Sequence, residues 1–297
     1  MKTITIFTPT YNRAYALPIL YKSLCRQTNK DFLWLIVDDG STDNTKDIVE
    51  EWQSEGELMI DYYKQQNGGK MRAHNRGVLN CKTALFVCVD SDDFLSDDAI
   101  ETIIKTWKRQ NDISGICGIV GKKGMKKIDN QYVSKDFPKE GLSTQHQLYA
   151  SGFQGETTLI FVTEILKNYL FPEIEGEKFI TESYIYDQID QEYKYVVLNK
   201  DLTFCEYLED GYSKNYLKLY MNNPKGYSMY YNQKNSLFKY GFARRMKYLI
   251  YYISYAKFGK LTNIYRDSSI KGIPYFCAYL VSLFYIKKTL RRYNSLK

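Results

Sequence analysis

Apolar, strand-like runs alternate with helical spacing through the first 120 residues of this 297-residue chain. The runs lie at 3–8, 33–37, 59–63, 84–89 and 115–120, and the gaps predict helices over 14–27, 43–53, 70–80 and 96–109. Strands that alternate with helices in this way form a mostly parallel sheet covered on both faces. The sequence therefore predicts an α/β fold whose ligands bind beyond the carboxyl ends of the strands.

A polar loop follows each of the first four predicted strands, at 9–13 (PTYNR), 38–41 (DDGS), 67–70 (NGGK) and 90–93 (DSDD). Parallel strands end at one edge of a sheet, so we expect the four loops to converge there. The glycine pair of the third loop allows close backbone approach before a helix whose N-terminus favours negative charge. The acidic loop predicts a divalent-metal site, because carboxylates beside a buried strand need a cation. A solvated turn with a helix N-cap is the alternative interpretation.

The order and spacing of these motifs resemble inverting glycosyltransferase family 2, whose members have the GT-A fold. The resemblance covers the first 120 residues tightly and continues more loosely to about residue 215. It implies a Rossmann-like sheet flanked by helices, with a nucleotide-sugar-binding half over 1–120 and an acceptor-binding and catalytic-base half over 121–215. Residues 216–297 would form a basic, helical C-terminal extension.

The resemblance also implies which residues bind the donor. Thr8, Pro9 and Tyr11 would line the base and ribose, and Lys70 would lie near the base or phosphate. Asp39 would accept a hydrogen bond from the uracil N–H, which suits a group that only accepts when ionised. For the Asp-Asp-Gly segment that contains Asp39, a tight turn before a helix cap is the alternative. His74 is interpreted as a packed or surface residue.

In the acidic loop, the resemblance assigns Asp90 to the ribose and Asp92 to a Mg²⁺ or Mn²⁺ ion between the donor phosphates. Asp93 and Glu156 are candidates for the acceptor side. The ion would act as a Lewis acid that neutralises the departing nucleoside diphosphate. Family members often add a late histidine ligand, and neither of the two histidines in this chain stands where that ligand is expected.

An inverting transfer also needs a general base that deprotonates the acceptor hydroxyl. Members of the family place an acidic residue on the helix that follows the acceptor loops. Here a helix is predicted from Gly176 to about Glu192, and register with the family pattern selects Glu182, with Glu177 in reserve. Helix capping and dipole complementation remain an alternative role for Glu182.

Charge divides the chain into an acidic part and a basic tail. From Lys239 onward there are 13 Lys and Arg residues against one acid, Asp267, whereas the preceding residues carry 28 basic and 33 acidic side chains. The segment 273–286 is almost free of charge, but at 14 residues it is too short to span a bilayer, which takes about 20. An interfacial helix on an anionic inner-leaflet surface is predicted, and a buried helix with a basic solvent face is the alternative. No nucleic-acid module accompanies this charge, so no nucleic-acid partner is expected.

A strand-like N-terminus and six cysteines without a CxxC pair predict a cytoplasmic protein, peripheral to the inner face of the membrane. The predicted activity is metal-dependent transfer of a sugar from a UDP-sugar to a saccharide or lipid-linked saccharide, with inversion, in bacterial capsule, O-antigen or exopolysaccharide synthesis. One alternative is a sugar-nucleotide nucleotidyltransferase, although the loop at 9–12 is not a Gly-rich phosphate loop. The other is a degenerate sugar-binding subunit, against which Asp90, Asp92 and Glu182 argue.

Overall fold

The computed structural model describes residues 2–110, 114–126, 132–205 and 216–295. These residues form two compact units: unit 1 comprises the described residues up to 170 together with 192–205, and unit 2 comprises 171–191 together with 216–295. The predicted boundary at residue 121 falls inside a strand of unit 1. The two predicted halves of the α/β domain are therefore joined by one sheet.

The described residues of unit 1 contain a ten-stranded sheet. Six strands run in one direction: β1 (Ile4–Thr10), β2 (Phe32–Asp38), β3 (Ile60–Lys64), β4 (Leu85–Cys88), β6 (Ile116–Lys126) and β10 (Lys194–Cys205). Four run in the opposite direction: β5 (Asp93–Leu95), β7 (Tyr132–Val133), β8 (Gly141–Ser143) and β9 (Glu156–Val162). The order is β3-β2-β1-β4-β9-β6-β10-β5, with β7 beside β6 and β8 beside β10. The part β3-β2-β1-β4 is parallel as predicted, and the antiparallel pairings lie in the rest of the sheet.

The helices of unit 1 are α1 (Leu17–Cys25), α2 (Thr45–Glu55), α3 (Lys70–Asn80), α4 (Ala99–Lys108), α5 (Gln145–Ala150) and α6 (Thr163–Leu166). Helix α3 has the predicted bounds, whereas α1 begins three residues later than predicted. A turn precedes α1, in which the Arg13 carbonyl accepts hydrogen bonds from the Ala16 and Leu17 N–H groups. The later start places Pro18 in the first turn, where its missing N–H leaves no helical bond unmade.

The centre of the sheet is buried on both faces, which explains the continuous apolar runs of its strands. Every residue of β1 is buried, and Phe7 stacks on Phe86 of the neighbouring strand β4. Helix α3 approaches β1 closely at Gly77, where an added Cβ would lie 2.4 Å from the Phe7 ring. This close contact fixes the helix that carries Lys70 against the sheet.

Unit 2 is helical in its described part. It contains most of α7 (Ser183–Glu192), followed by α8 (Tyr216–Asn222), α9 (Pro224–Leu237), α10 (Phe242–Phe258), α11 (Ile264–Asp267) and α12 (Ile273–Asn294). Leu249, Ile253 and Ala256 of α10 pack with Tyr275 and Ala278 of α12 to form its core. The predicted helical C-terminal extension is thus confirmed. Among the described residues, no helix combines the length and apolar character needed to cross a bilayer.

Candidate active site

The loops after β1 and β2 are joined by direct hydrogen bonds at the carboxyl edge of the sheet. The Asn12 N–H donates to Ser41 Oγ (2.8 Å), and Asn12 Oδ1 accepts from the Thr42 N–H (2.7 Å). Asn12 adopts a left-handed conformation, with φ of 52°, which asparagine tolerates better than most residues. The two loops therefore form one surface, as the sequence predicts.

Asp39 connects the second loop to the third. Its buried carboxylate accepts four hydrogen bonds, from Gln65 Nε2 (2.7 Å), Asn67 Nδ2 (3.0 Å) and the N–H groups of Gly68 (2.9 Å) and Gly69 (2.6 Å). These four donors fill the acceptor sites that a carboxylate offers. A uracil N–H would therefore have to displace one of them to bind Asp39.

Replacing Asp39 with asparagine is expected to destabilise unit 1. The side-chain amide would direct an NH₂ group at N–H donors, leaving two buried or partly buried donors unpaired at a cost of about 2–4 kcal/mol in total. Urea unfolding measures this loss. The matched control is Asp61→Asn, at an exposed residue of β3, which should leave the free energy of unfolding nearly unchanged.

Asp38 holds the turn between β2 and α2. It is completely buried, and its carboxylate accepts from the Tyr62 hydroxyl (2.6 Å) and the Ser41 N–H (2.7 Å). Burial and the adjacent Asp38 carboxylate raise the pKa of Tyr62, so this phenol remains a donor. Gly40 follows with φ of 88°, and a Cβ there would lie 2.9 Å from the Asn67 nitrogen. Asp38 and Gly40 therefore have the turn-forming role of the alternative interpretation.

Lys70 and Asp90 form an ion pair where α3 meets the end of β4. Lys70 Nζ lies 2.7 and 2.8 Å from the two carboxylate oxygens of Asp90. Burial alone would raise the pKa of Asp90, but the ammonium groups of Lys70 and Lys123 outweigh it and lower this pKa below its usual value. Asp90 is therefore anionic at neutral pH, and Lys70 at the start of α3 is paired with it.

Asp93 pairs with Lys123 of β6, a residue that the sequence does not single out. Lys123 Nζ lies 2.6 Å from Asp93 Oδ2 and 3.7 Å from Glu156 Oε2, so both predicted acceptor-side acids contact one cation. Burial lowers the pKa of Lys123, yet the carboxylates of Asp93 and Asp90 raise it above its usual value. Lys123 thus stays charged beneath the acidic loop.

Asp92 differs from Asp90 and Asp93, because it has no ion-pair partner among the described residues. Burial, followed by the nearby Asp90 carboxylate, raises the pKa of Asp92. A cation bound beside it would relieve both effects. Within the described residues, no three His, Cys, Asp or Glu side chains are grouped so that they alone could hold a metal. Asp92 is the carboxylate of this loop that could hold a Mg²⁺ ion together with water and substrate phosphates.

The three residues that are predicted to line the base and ribose differ in how exposed they are. Thr8 is buried and its hydroxyl accepts from Trp34 Nε1 (3.0 Å), so this side chain points into the sheet core. Pro9 is also buried, at the end of β1. Tyr11, by contrast, is 48% exposed in the loop. Of the three, Tyr11 is the side chain that a base or ribose can contact directly.

His74 packs against the stacked rings of Phe7 and Phe86, with edge-on geometry to both. Burial, with a smaller effect of Lys70, lowers its pKa from 6.5 to about 3. The packed interpretation of His74 thus agrees with the structure, and the imidazole is neutral at neutral pH.

The lowered pKa of His74 predicts that the free energy of unfolding falls in acid. Between pH 6.5 and 3 the unfolded chain binds a proton at His74 that the folded chain does not, so stability falls as the pH falls through this window. Lowering the pH from 7 to 5 should cost about 2 kcal/mol of unfolding free energy through this residue. Urea unfolding of His74→Leu at both pH values should lack this component, whereas the control His146→Gln should retain it.

The two candidate bases lie in unit 2 and have different surroundings. Glu177 is 6% exposed, and its carboxylate accepts the backbone N–H groups of Lys225 (2.7 Å) and Gly226 (2.8 Å) at the start of α9. Glu182 directly precedes α7, where its carbonyl accepts the Tyr186 N–H, and its side chain is half-buried. The carboxylate of Glu177 thus caps a helix. Glu182 precedes the start of α7, because this helix begins at Ser183 and not at Gly176 as predicted.

A sheet whose polar loops lie together beyond the carboxyl ends of its parallel strands defines the class of α/β proteins that bind ligands at this edge. Comparison with protein families agrees with this class. Residues 5–169, more than half of the chain, match the family model described as glycosyl transferase family 2. The chain belongs to glycosyl transferase family 2, a family of glycosyltransferase enzymes.

Curated relatives are similar to parts of this chain. Glycosyltransferase GlyA of Streptococcus pneumoniae is 37% identical over 102 residues, which are 34% of this chain and 14% of GlyA. The GalNAc(5)-diNAcBac-PP-undecaprenol beta-1,3-glucosyltransferase of Campylobacter jejuni is 27% identical over 176 residues, 58% of this chain and 56% of that protein. The chain thus spans less than two thirds of the length of either relative.

Solved structures show the same fold at low identity. S. aureus TarS 1–349 in complex with UDP-GlcNAc has a TM-score of 0.63 at 20% identity, over 97% of this chain and 81% of that one. Mannosyltransferase PcManGT from Pyrobaculum calidifontis, in complex with GDP-Man and Mn²⁺, has a TM-score of 0.56 at 14% identity, over 97% and 84%. These similarities confirm the predicted fold class.

Proposed function

We propose that this protein transfers a sugar from a UDP-sugar to an acceptor hydroxyl, with inversion at the anomeric carbon and with a divalent ion. The observation that carries the proposal is the position of Asp92, a carboxylate with a raised pKa and no ion-pair partner in the described structure, between two acids that are each paired with lysine. Such a carboxylate suits a cation that arrives with a diphosphate. Membership of the family and the fold shared with a UDP-GlcNAc complex support the donor class.

The loops of unit 1 would hold the nucleotide. Tyr11 would contact the base or ribose. Thr8 and Pro9, which are buried, would support the loop that carries Tyr11. Asp39 would either exchange one of its donors for the uracil N–H or hold the third loop in place for the base. Asp90 would accept from a ribose hydroxyl, since it is anionic and partly exposed.

Charge on the donor would be balanced by residues from three elements. A Mg²⁺ or Mn²⁺ ion held by Asp92 and the donor phosphates would supply Lewis-acid stabilisation of the departing diphosphate. Lys70 lies at the N-terminus of α3, so its ammonium and the helix dipole both favour a phosphate there. Lys123 holds Asp93 and Glu156 on the side proposed for the acceptor.

Glu182 is the proposed general base, which takes the proton of the acceptor hydroxyl as the oxygen attacks the anomeric carbon. Its side chain is half-buried and directly precedes the start of α7. Glu177 is less suited to the role, because two backbone N–H groups occupy its carboxylate.

The acceptor is proposed to be a saccharide or a lipid-linked saccharide of a bacterial surface polysaccharide. The Campylobacter relative supports this setting, since its name describes glucosyl transfer to an undecaprenol-diphosphate-linked glycan. A chondroitin synthase of Escherichia coli, 32% identical over 114 residues, gives a second polysaccharide-forming relative.

Thermal-shift screening against UDP-, GDP-, CMP- and dTDP-sugars, with and without Mn²⁺, tests the donor and the metal together. A ligand at 100 times its dissociation constant adds about 2.7 kcal/mol to the free energy of unfolding, which is readily measured. We expect a shift with one UDP-sugar that requires Mn²⁺ and disappears in Asp92→Asn. A shift that Mn²⁺ does not affect would remove the metal from the proposal, and the absence of any shift would favour a degenerate binding subunit.

A further inference from the structure

Helix α12 carries a stripe of large apolar side chains that unit 2 leaves exposed. Ile273 is 79% exposed, Phe276 60%, Leu280 61% and Phe284 78%. Their spacing of three or four residues places them along one face of the helix. Apolar surface of this extent on a helix indicates an interaction site.

The opposite face of α12 is packed, so the stripe has a fixed orientation within unit 2. Tyr275, Ala278 and Ser282 are buried, and the first two join the core formed with α10. The sequence allows two interpretations of this helix, an interfacial helix or a buried helix with a basic solvent face, and the structure has features of both. One face is buried, but its free face is apolar rather than basic over its first three turns.

Basic residues continue the same helix face after the apolar residues end. Lys287 and Arg291 follow Phe284 at spacings of three and four residues, and both are exposed. No acidic residue occurs after Asp267 in the sequence. The free face of α12 thus changes from apolar to cationic toward its C-terminal end.

A groove lies beside the stripe, between α10 and α12. It encloses about 400 Å³ and is lined by apolar side chains that include Met246, Ile250 and Phe284, with Lys247 and Lys288 contributed by the two helices. An apolar groove with two lysine side chains in its lining suits a molecule with an acyl chain and a phosphate.

We propose that the free face of α12 and this groove form a docking surface for an anionic phospholipid membrane. The charge-free segment 273–286 would extend about 21 Å as a helix, short of the roughly 30 Å hydrocarbon core, so it would lie in the interface. Anionic headgroups complement the lysines and arginines of this face. A second copy of the chain is a weaker occupant, because it would bring two cationic faces together. The surface is independent of the donor chemistry proposed above.

Vesicle flotation of the full chain tests the proposal. Wild type should float with phosphatidylglycerol-containing vesicles and remain below phosphatidylcholine vesicles. Phe276→Glu with Phe284→Glu should abolish flotation. The matched control is Met59→Glu with Leu79→Glu, two unit 1 residues that are each 58% exposed, which should float like wild type. Lys287→Ser with Arg291→Ser should weaken binding about 25-fold, at roughly fivefold per basic residue.

A probe at Cys277 distinguishes insertion from simple charge attraction. Cys277 is exposed on α12 next to Phe276, so an environment-sensitive fluorophore there should shift to the blue when anionic vesicles are added, and Cys277→Ser should lose the signal. Equal flotation of the Phe276/Phe284 variant and wild type would overturn the proposal. So would a wild-type dimer in light scattering that this variant dissociates, because the face would then bind a second copy. Donor thermal shifts of the variant should stay unchanged, which separates this result from the proposed activity.

Discussion

Replacing Asp92 with asparagine is expected to lower turnover at a fixed donor concentration about a thousandfold. The isosteric amide keeps the shape of the side chain but removes the charge that holds a divalent ion against the donor diphosphate. Lewis-acid stabilisation of a leaving group contributes several kcal/mol, and about 4 kcal/mol corresponds to three orders of magnitude in rate. Initial rates of nucleoside diphosphate release, measured with the sugar donor found by thermal shift, check this result.

The same substitution should not destabilise the protein, which separates a chemical effect from misfolding. Burial and Asp90 raise the pKa of Asp92 in the folded chain, so the ionised group opposes folding at neutral pH. Removing its charge should leave the free energy of unfolding unchanged or increase it. Asp61→Asn, at an exposed position of the same unit, is the control for activity. Normal turnover of Asp92→Asn with a normal dependence on Mn²⁺ would contradict the proposed metal site.

The first strands of unit 1 could be predicted closely because each of them is recognisable from its local sequence pattern. β2 is a nearly unbroken apolar run because it is buried on both faces, whereas β1, which is also buried, alternates apolar residues with threonine. The polar loops that follow both strands mark their ends. Helix α3 was predicted with its observed bounds, since Gly69 with φ of 95° precedes it and only glycine adopts that conformation readily. The insertion of antiparallel β9 between β4 and β6 depends on long-range pairing that the sequence does not display.

The start of α7 was predicted too early for a related reason. The segment from Gly176 has residues that suit a helix start, but the Glu177 carboxylate binds backbone N–H groups at Lys225, 48 residues further along the chain. A local pattern cannot reveal a cap supplied to a different helix. The helix therefore begins at Ser183.

Individual site residues were harder to interpret than the loops that carry them. The glycines of the third loop were expected to approach a ligand, and in this structure the N–H groups of Gly68 and Gly69 bind Asp39 instead. Lys123 could not be identified as a site residue from the sequence, because a single lysine in a strand shows its role only when folding places it against Asp93. The sequence thus predicted where the polar groups converge, and the pairing among them required the structure.

Replacing Glu182 with glutamine is expected to reduce turnover by 10²–10⁴-fold, about the contribution of a general base. Glutamine preserves the shape of the side chain but cannot accept the acceptor's proton at neutral pH. Donor binding should survive, because no nucleotide-contacting role is proposed for Glu182. The measurement is turnover at saturating donor together with the Mn²⁺-dependent donor thermal shift, and only the first should fall.

Glu177→Gln is the matched comparison, since the same chemical change is made five residues earlier in unit 2. Its buried carboxylate accepts two N–H groups at the start of α9, so the substitution should cost about 1–2 kcal/mol of unfolding free energy and leave turnover within a few-fold of wild type. A large loss of turnover in Glu177→Gln with Glu182→Gln unaffected would reverse the two assignments. Equal losses in both variants, each with a lowered melting temperature, would mean that neither acid acts as the base and that both support the fold of unit 2.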